Sequence, residues 1–451
     1  MSSSELVNEG TVFYSWNVIK DFPPFKTDEI DRTHILDTIA RVLTVENPIV
    51  FLEGEAGNGA TTFLAQFCRE NPSNSFALFI KPASRFSYSV DSLRFKLFEQ
   101  IYWYLESVIF DKNVVDSSQY ETSLQKLRRS KKSQTYFFVI DGLHQIQMEE
   151  MSAIEQIFKE VLPIGFSNDF RFIITGSQAF LKQFVGKFNS KTYQLPSFSV
   201  GETETYFTGT SLKKEEINEV RKLCHAIPGR LASVKRLLSS SMTLDQILNS
   251  DPSKYLEFIM LEFDVLSALT DAQKLIIAVM VFGKNELNEN EIIEVSGAQL
   301  VDFKVVKSTC HFLQLSEDSK LLEFVSESHR RFAEKKLSHL SEQAIELHIS
   351  YLIKHPESLS ALLFLPSYYQ FLNKQQAVLD LLSTEHYSKL LESTQSITAL
   401  KNRAEVGFKS AITLKQITNV FKFSLHKSFF SAVTNTDGYS GPQFSDSELR
   451  W

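Results

Sequence analysis

Two hydrophobic periods alternate along the first 200 residues of the chain. The segment 29–43, EIDRTHILDTIARVL, places Ile30, Ile35, Leu36, Ile39, Val42 and Leu43 at helical spacing. NPIVFLEG (47–54) is instead a short continuous apolar run closed by glycine, the pattern of a strand buried on both faces. SFALFIK (75–81), TYFFVID (135–141) and FRFIITG (170–176) repeat it. Helical patterns lie between them, at 61–71, 89–110 and 149–162. Strands alternating with helices predict a parallel sheet covered on both faces.

After about residue 200 the strand signal fades. EEINEVRKLCHAIPGRLASVKRLLSSS reads as two helices broken at Pro228-Gly229. Residues 260–340 combine helices with two β-like pieces, HFLQLSED and KLLEFVSE, which suggests a winged-helix arrangement. From 340 to 435 the chain is helical and rich in Leu and Phe, without a clean internal period. The expected organisation is therefore a polar lead-in (1–27), an α/β domain (28–200) whose glycine-rich loop GEAGNGATT at 54–62 marks it as a P-loop NTPase domain, a helical lid (201–262), a winged-helix-like domain (263–342), a C-terminal helical region (343–435) and a polar tail (436–451).

The chemistry concentrates at the first strand–helix junction. Gly54-Glu55-Ala56-Gly57-Asn58-Gly59-Ala60-Thr61-Thr62 fits the spacing G-x-x-x-x-G-K-[ST], in which glycines let backbone N–H groups surround phosphate. Lysine is replaced by Ala60, whereas Thr61 keeps the position that holds Mg²⁺. Asp141 ends the strand TYFFVID, at the sheet edge where ligands of parallel sheets collect, and is the second expected metal-site residue. The hydroxyls of Thr175 and Ser177 close a third strand, where they could contact a γ-phosphate or the attacking water; a plain strand end followed by a turn is the alternative. A glycine-rich turn without any ligand is the competing reading of the loop.

Composition narrows the partners. A net charge of -7 argues against binding nucleic acid through the overall field, and RRSKK (128–132) reads as a solvated basic turn. Three scattered cysteines, Cys68, Cys224 and Cys310, form no zinc or disulfide pattern and are expected to be reduced and buried. Neither a signal peptide nor an apolar stretch of about 20 residues is present, so a soluble, cytoplasmic protein without membrane contact is expected.

In order and spacing, these motifs resemble the signal-transducing NTPases of the STAND class, which include NACHT and apoptotic ATPases. GEAGNGATTFL resembles the phosphate loop of that class, FFVIDGLHQI its acidic strand, RFIITGS the strand ending Thr-Ser-Arg, and LPSFSVGETETYF the segment that follows. HAIPGRLASVKRLL is similar to the segment whose proline, here Pro228, covers the nucleotide base. EFVSESHRRFAEKKL resembles the winged-helix segment whose histidine, here His329, senses the β-phosphate, and DEIDRTHIL resembles the arginine motif near adenine, here Arg32.

The resemblance covers roughly residues 25–345. It implies ATP or ADP with Mg²⁺ as ligand, held by Gly54, Gly57, Asn58, Gly59, Ala60, Thr61, Thr62, Asp141, Pro228 and His329. It also implies a nucleotide-controlled switch that self-associates when its C-terminal helices sense a protein or ligand, as related bacterial proteins do in phage defence. Some members carry an N-terminal effector enzyme, which the short lead-in 1–27 is not expected to be.

Three departures remove charge from the pocket. Lysine becomes Ala60, the acids after the aspartate become His144 and Gln145, and Thr-Ser-Arg becomes Thr175-Gly176-Ser177. Each loss weakens stabilisation of a transferring phosphoryl group, so weak or absent hydrolysis is expected. Glu149 and Glu150 are later acids, and Lys81 and Arg85 are cations that could replace the lysine by position. A pseudo-NTPase scaffold and an AAA+-like DNA-binding ATPase are the alternative readings.

Overall fold

The computed structural model describes residues 15–435 apart from 20, 24, 26, 27, 81–87, 111–114, 131–133, 147–150, 241, 286, 316–320 and 395. It divides into two compact units, Met1–Glu262 and Phe263–Trp451.

The first unit is built on β1 (Ile49–Glu53), β2 (Ser75–Phe79), β3 (Tyr136–Asp141), β4 (Phe170–Thr175) and β5 (Ser190–Gln194). They form one parallel sheet in the order β2-β3-β4-β1-β5. The two-residue period of each strand sorts its side chains onto opposite faces. Ile49, Phe51, Phe76, Phe138, Ile140, Phe172 and Ile174 join one core. It includes Leu97 and Ile101 of α3 (Val90–Glu106) and Leu124 and Leu127 of α4 (Ser117–Ser130). Val50, Leu52, Ala77, Val139 and Ile173 join the other. There they meet Ile35, Leu36 and Ile39 of α1 (Thr33–Val42), and Phe63, Leu64 and Phe67 of α2 (Ala60–Glu70). Burial on both faces is why the runs of β1 to β4 read as unbroken apolar stretches.

The edge strand β2 is completed by a side chain. Gln100 on α3 accepts from the Ala77 N–H and donates to the Ala77 carbonyl, both at 2.8 Å, closing backbone groups that the sheet leaves open. The helix expected at 149–162 is α5 (Met151–Gln156) followed by a π-helical turn, Ile157–Val161. After β4 come the short α6 (Gln178–Leu181) and then β5.

A helical layer completes the unit: α7 (Val200–Tyr206), α8 (Lys214–Leu223), α9 (Pro228–Ser239), α10 (Leu244–Ser250) and α11 (Tyr255–Glu262). Its own core contains Phe198, Phe207, Val220, Leu231, Val234 and Phe258. Ser199 starts α7 with a reciprocal cap: its Oγ accepts from the Glu202 N–H at 3.1 Å, and the Glu202 carboxylate accepts from the Ser199 N–H at 2.6 Å. Ser199→Ala is expected to cost about 1 kcal/mol, read as a lowered melting temperature.

The second unit begins with α12 (Asp271–Phe282), α13 (Glu289–Ser296) and α14 (Leu300–Thr309), followed by an antiparallel hairpin of β6 (Leu313–Leu315) and β7 (Leu322–Phe324). Helices α15 (Glu327–Lys336), α16 (Ser341–Lys354), α17 (Leu359–Phe371), α18 (Gln375–Leu381), α19 (Thr384–Thr394), α20 (Ile397–Thr413) and α21 (Ile417–Asn435) continue to the end of the described chain. Cys68, Cys224 and Cys310 are buried free thiols, and burial pushes each up to about 12. Among the described residues no helix is long and apolar enough to cross a membrane.

Candidate nucleotide site

Strand β1 delivers the chain to the C-terminal edge of the sheet, and α2 leaves it there. Between them Gly57 and Gly59 take φ of 84° and 80°, the left-handed region that side chains resist. Gly59 caps α2 without a side-chain hydrogen bond. The N–H groups of Gly57, Gly59, Ala60, Thr61 and Thr62 have no hydrogen-bond acceptor among the described residues. Converging unpaired N–H groups at a helix start are the donor set of an anion site.

The rest of the loop is braced through carbonyls and side chains. Asn58 is 6% exposed; its amide donates to the Leu195 carbonyl at 2.5 Å, and its N–H closes a turn on Glu55 at 3.0 Å. The Asn58 side chain folds over Gly54, where an added Cβ would lie 2.6 Å from its amide nitrogen. Gly229 at the start of α9 donates its N–H to the Gly57 carbonyl at 2.7 Å. A Cβ on Gly229 would fall 2.7 Å from the Gly57 Cα, so only glycine permits this approach. Pro228 lies over Gly59, 3.7 Å from where a Cβ there would sit, and the Tyr255 ring lies similarly close to Gly57 at 3.2 Å. Arg230 bridges the Glu55 carboxylate and the Ser253 carbonyl, each at 3.1 Å.

Asp141 stands beside the loop and is 5% exposed. One of its oxygens accepts from the Thr61 hydroxyl at 2.5 Å, the other from the Thr175 hydroxyl at 2.6 Å. The Gly142 N–H in turn donates to the Thr175 oxygen at 3.2 Å. No Lys, Arg or His pairs with Asp141 among the described residues. A buried carboxylate without a counter-charge is costly, and hard oxygen donors facing a phosphate nest are the chemistry of Mg²⁺. These residues fit that ion. No cluster of three or more His, Cys, Asp or Glu that could hold a metal occurs among the described residues, so phosphate oxygens and water would supply most of its ligands.

The other sequence-derived candidates each have their own surroundings. His144 is exposed and Gln145 half-buried, in a 3-10 turn after Gly142. Ser177 is exposed. Arg32 is buried; its guanidinium binds the Glu202 carboxylate at 3.0 Å and the Pro196 carbonyl at 2.8 Å. His329 belongs to the second unit, where it is fully buried and its Nδ1 meets the Ser326 hydroxyl at 2.7 Å. Lys81, Arg85, Glu149 and Glu150 lie outside the described residues. Gly229, Arg230, Tyr255 and Leu195 were not anticipated; only the Pro-Gly step at 228–229 signalled a close backbone approach. A cavity of about 520 Å³ is lined by Arg32, Tyr193, Ser197, Phe198, Arg221 and His225, and by none of the loop residues 54–62.

The strand order, the glycine loop at the end of β1 and the acidic end of β3 together identify the architecture. The first unit has the fold of a P-loop NTPase.

No protein-family model matches the chain, and no curated protein matches it significantly. Solved structures similar to it include a Signal Transduction ATPase with Numerous Domains from Pyrococcus horikoshii, which carries a tetratricopeptide repeat sensor. The two share 14% identity over 92% of this chain, with a TM-score of 0.46, and this chain spans 66% of that protein's length. A Walker-type ATPase of Pyrococcus abyssi aligns at 13% identity over 68% of this chain and 97% of its own, with a TM-score of 0.39. Drosophila ORC bound to DNA aligns at 10% identity over 71% and 90%, with a TM-score of 0.30. Such distant likenesses concern the fold alone and lend no support to the expectation that nucleic acid is not a partner.

Proposed function

We propose that the first unit binds ATP or ADP with Mg²⁺ and serves as the nucleotide-dependent switch of a STAND-like regulatory protein, hydrolysing nucleotide slowly or not at all. The observation that carries this reading is the set of unpartnered N–H groups from Gly57 to Thr62 beside a buried, uncompensated Asp141. The N–H groups and the positive end of α2 would receive the phosphates. Thr61 and Asp141 would hold Mg²⁺, whose charge neutralises the phosphate oxygens and the carboxylate. Pro228, already on the loop, would border the base.

Weak turnover follows from what surrounds those groups. Ala60 adds no charge, and Arg230, the cation hydrogen-bonded to the loop, is committed to Glu55. The positions after Asp141 supply an exposed His144 and a Gln145 in place of acids that could orient water.

A second reading has its own support. The loop is tied by its own hydrogen bonds to Leu195, Gly229 and Arg230, as a purely structural turn in a scaffold protein would be. Titration calorimetry with ADP and ATP, with and without Mg²⁺, separates the two. Saturable binding is expected, stronger with Mg²⁺, and Thr61→Ala should weaken only the Mg²⁺-dependent part, by about five- to tenfold for one lost ligand oxygen. No binding at millimolar nucleotide establishes the scaffold instead.

A further inference from the structure

The C-terminal helices hold a group of buried polar side chains that lack partners. Arg403 on α20 is 5% exposed. Its Nη2 donates to the Leu363 carbonyl of α17 at 2.7 Å, yet its Nε and Nη1 are buried and reach no acceptor among the described residues. His386 and Tyr387, consecutive on α19, are buried as well, and neither the His386 Nε2 nor the Tyr387 hydroxyl has a hydrogen-bond partner among the described residues. Arg403 lies within electrostatic reach of both, and of Lys284 after α12.

The charge in this place has one sign. Besides Arg403, only the cationic Lys389 acts on His386, and the nearby carboxylates of Glu357 and Glu385 are bound to Lys389. Neither Arg403 nor Lys284 forms an ion pair among the described residues. Burial pushes the Arg403 guanidinium down to about 10, which leaves it charged at neutral pH. An unpaired buried guanidinium opposes folding unless something meets its charge and its N–H groups.

The free groups share a second property: each can donate. Arginine donates only, the tyrosine hydroxyl donates, and the histidine donates in its Nε2–H tautomer. A water molecule could satisfy some of these donors but not the charge. A ligand that only accepts, carries negative charge and is small enough for a buried position satisfies both.

We propose that Arg403, His386 and Tyr387 form a binding site for a small oxyanion, a phosphate, sulfate or carboxylate group, inside the C-terminal helices. The site is separate from the phosphate loop and does not rest on nucleotide binding there. It gives the helical region a ligand of defined chemistry.

The test uses the full chain at constant ionic strength, titrated with sodium phosphate, sulfate or acetate against sodium chloride, while hydrogen exchange is followed in peptides from α19 and α20. Saturable protection by at least one oxyanion, and not by chloride, is expected at concentrations up to about 10 mM. The anion that saturates first distinguishes a phosphate-type ligand from a carboxylate. Arg403→Met should weaken the effect at least about tenfold, as loss of a charged donor requires. Tyr387→Phe keeps the ring and removes one hydroxyl, so it decides the matter should Arg403→Met not fold; at least about a threefold weakening is expected. The proposal is overturned if no oxyanion protects these helices, which would leave buried water as the partner, or if protection is unchanged in the folded variants.

Discussion

Replacing Ala60 with lysine is expected to tighten binding of ADP and ATP about ten- to a hundredfold, because a charge-assisted contact to phosphate is worth about 1.5–3 kcal/mol. Position 60 is the first residue of α2, directly after the left-handed Gly59, and already carries a Cβ, so lysine requires no new backbone conformation. Nothing on the loop now does the work of that lysine, since Arg230 is held by Glu55 and Ser253. A new ammonium would also offset the charge of Asp141, which lacks a cationic partner. Calorimetry on Ala60→Lys and Ala60→Met separates charge from bulk: methionine should give no gain. Unchanged affinity in the lysine variant would show that phosphate does not sit at these N–H groups. Hydrolysis should stay slow even in Ala60→Lys, because His144 and Gln145 still stand where acids would position water.

Strands β1 to β4 were legible because burial on both faces makes them continuous apolar runs. Strand β5 was not, since Lys191, Thr192 and Gln194 are exposed at the edge, where polar side chains discourage further pairing. Helix α4 was passed over because its apolar residues, Tyr120, Leu124 and Leu127, are spaced by whole turns within a very polar segment. The phosphate loop could be read directly, as contiguous residues at fixed spacing. Its closure could not: Leu195, Gly229, Arg230 and Tyr255 come from distant segments, and only folding places them on Asn58, Gly57 and Glu55. Arg32 shows the same limit from the other side. Its motif could be read in the sequence, but its hydrogen bonds to Glu202 and Pro196, more than 160 residues away, could not.

Mild acid is expected to loosen the second unit while the first gains stability. In the second unit, burial and then repulsion from Arg403 and Lys389 push the His386 imidazole down to about 4. His348 is also lowered by burial, against the opposing hydrogen bond from its Nε2 to the Val279 carbonyl. An unfolded histidine titrates near 6.5, so these groups contribute fully above that pH and lose their contribution as pH falls toward the folded value. For His386 alone the loss is about 2–3 kcal/mol at pH 4. Glu99 on α3 works in the opposite direction: burial raises its carboxyl to about 7, against the pull of Lys96. Its penalty is present above pH 7 and relieved as pH falls to the unfolded value near 4.5. Because Glu99 is partly exposed, the relief amounts to no more than about 1–2 kcal/mol. Hydrogen exchange on the intact chain, corrected for its intrinsic pH dependence and run in chloride, should show α16 and α19 losing protection between pH 6.5 and 4.5 while β1 to β4 keep theirs. His386→Gln should remove most of the slope in α19. If the slope persists there, His386 is not its source and the assignment fails.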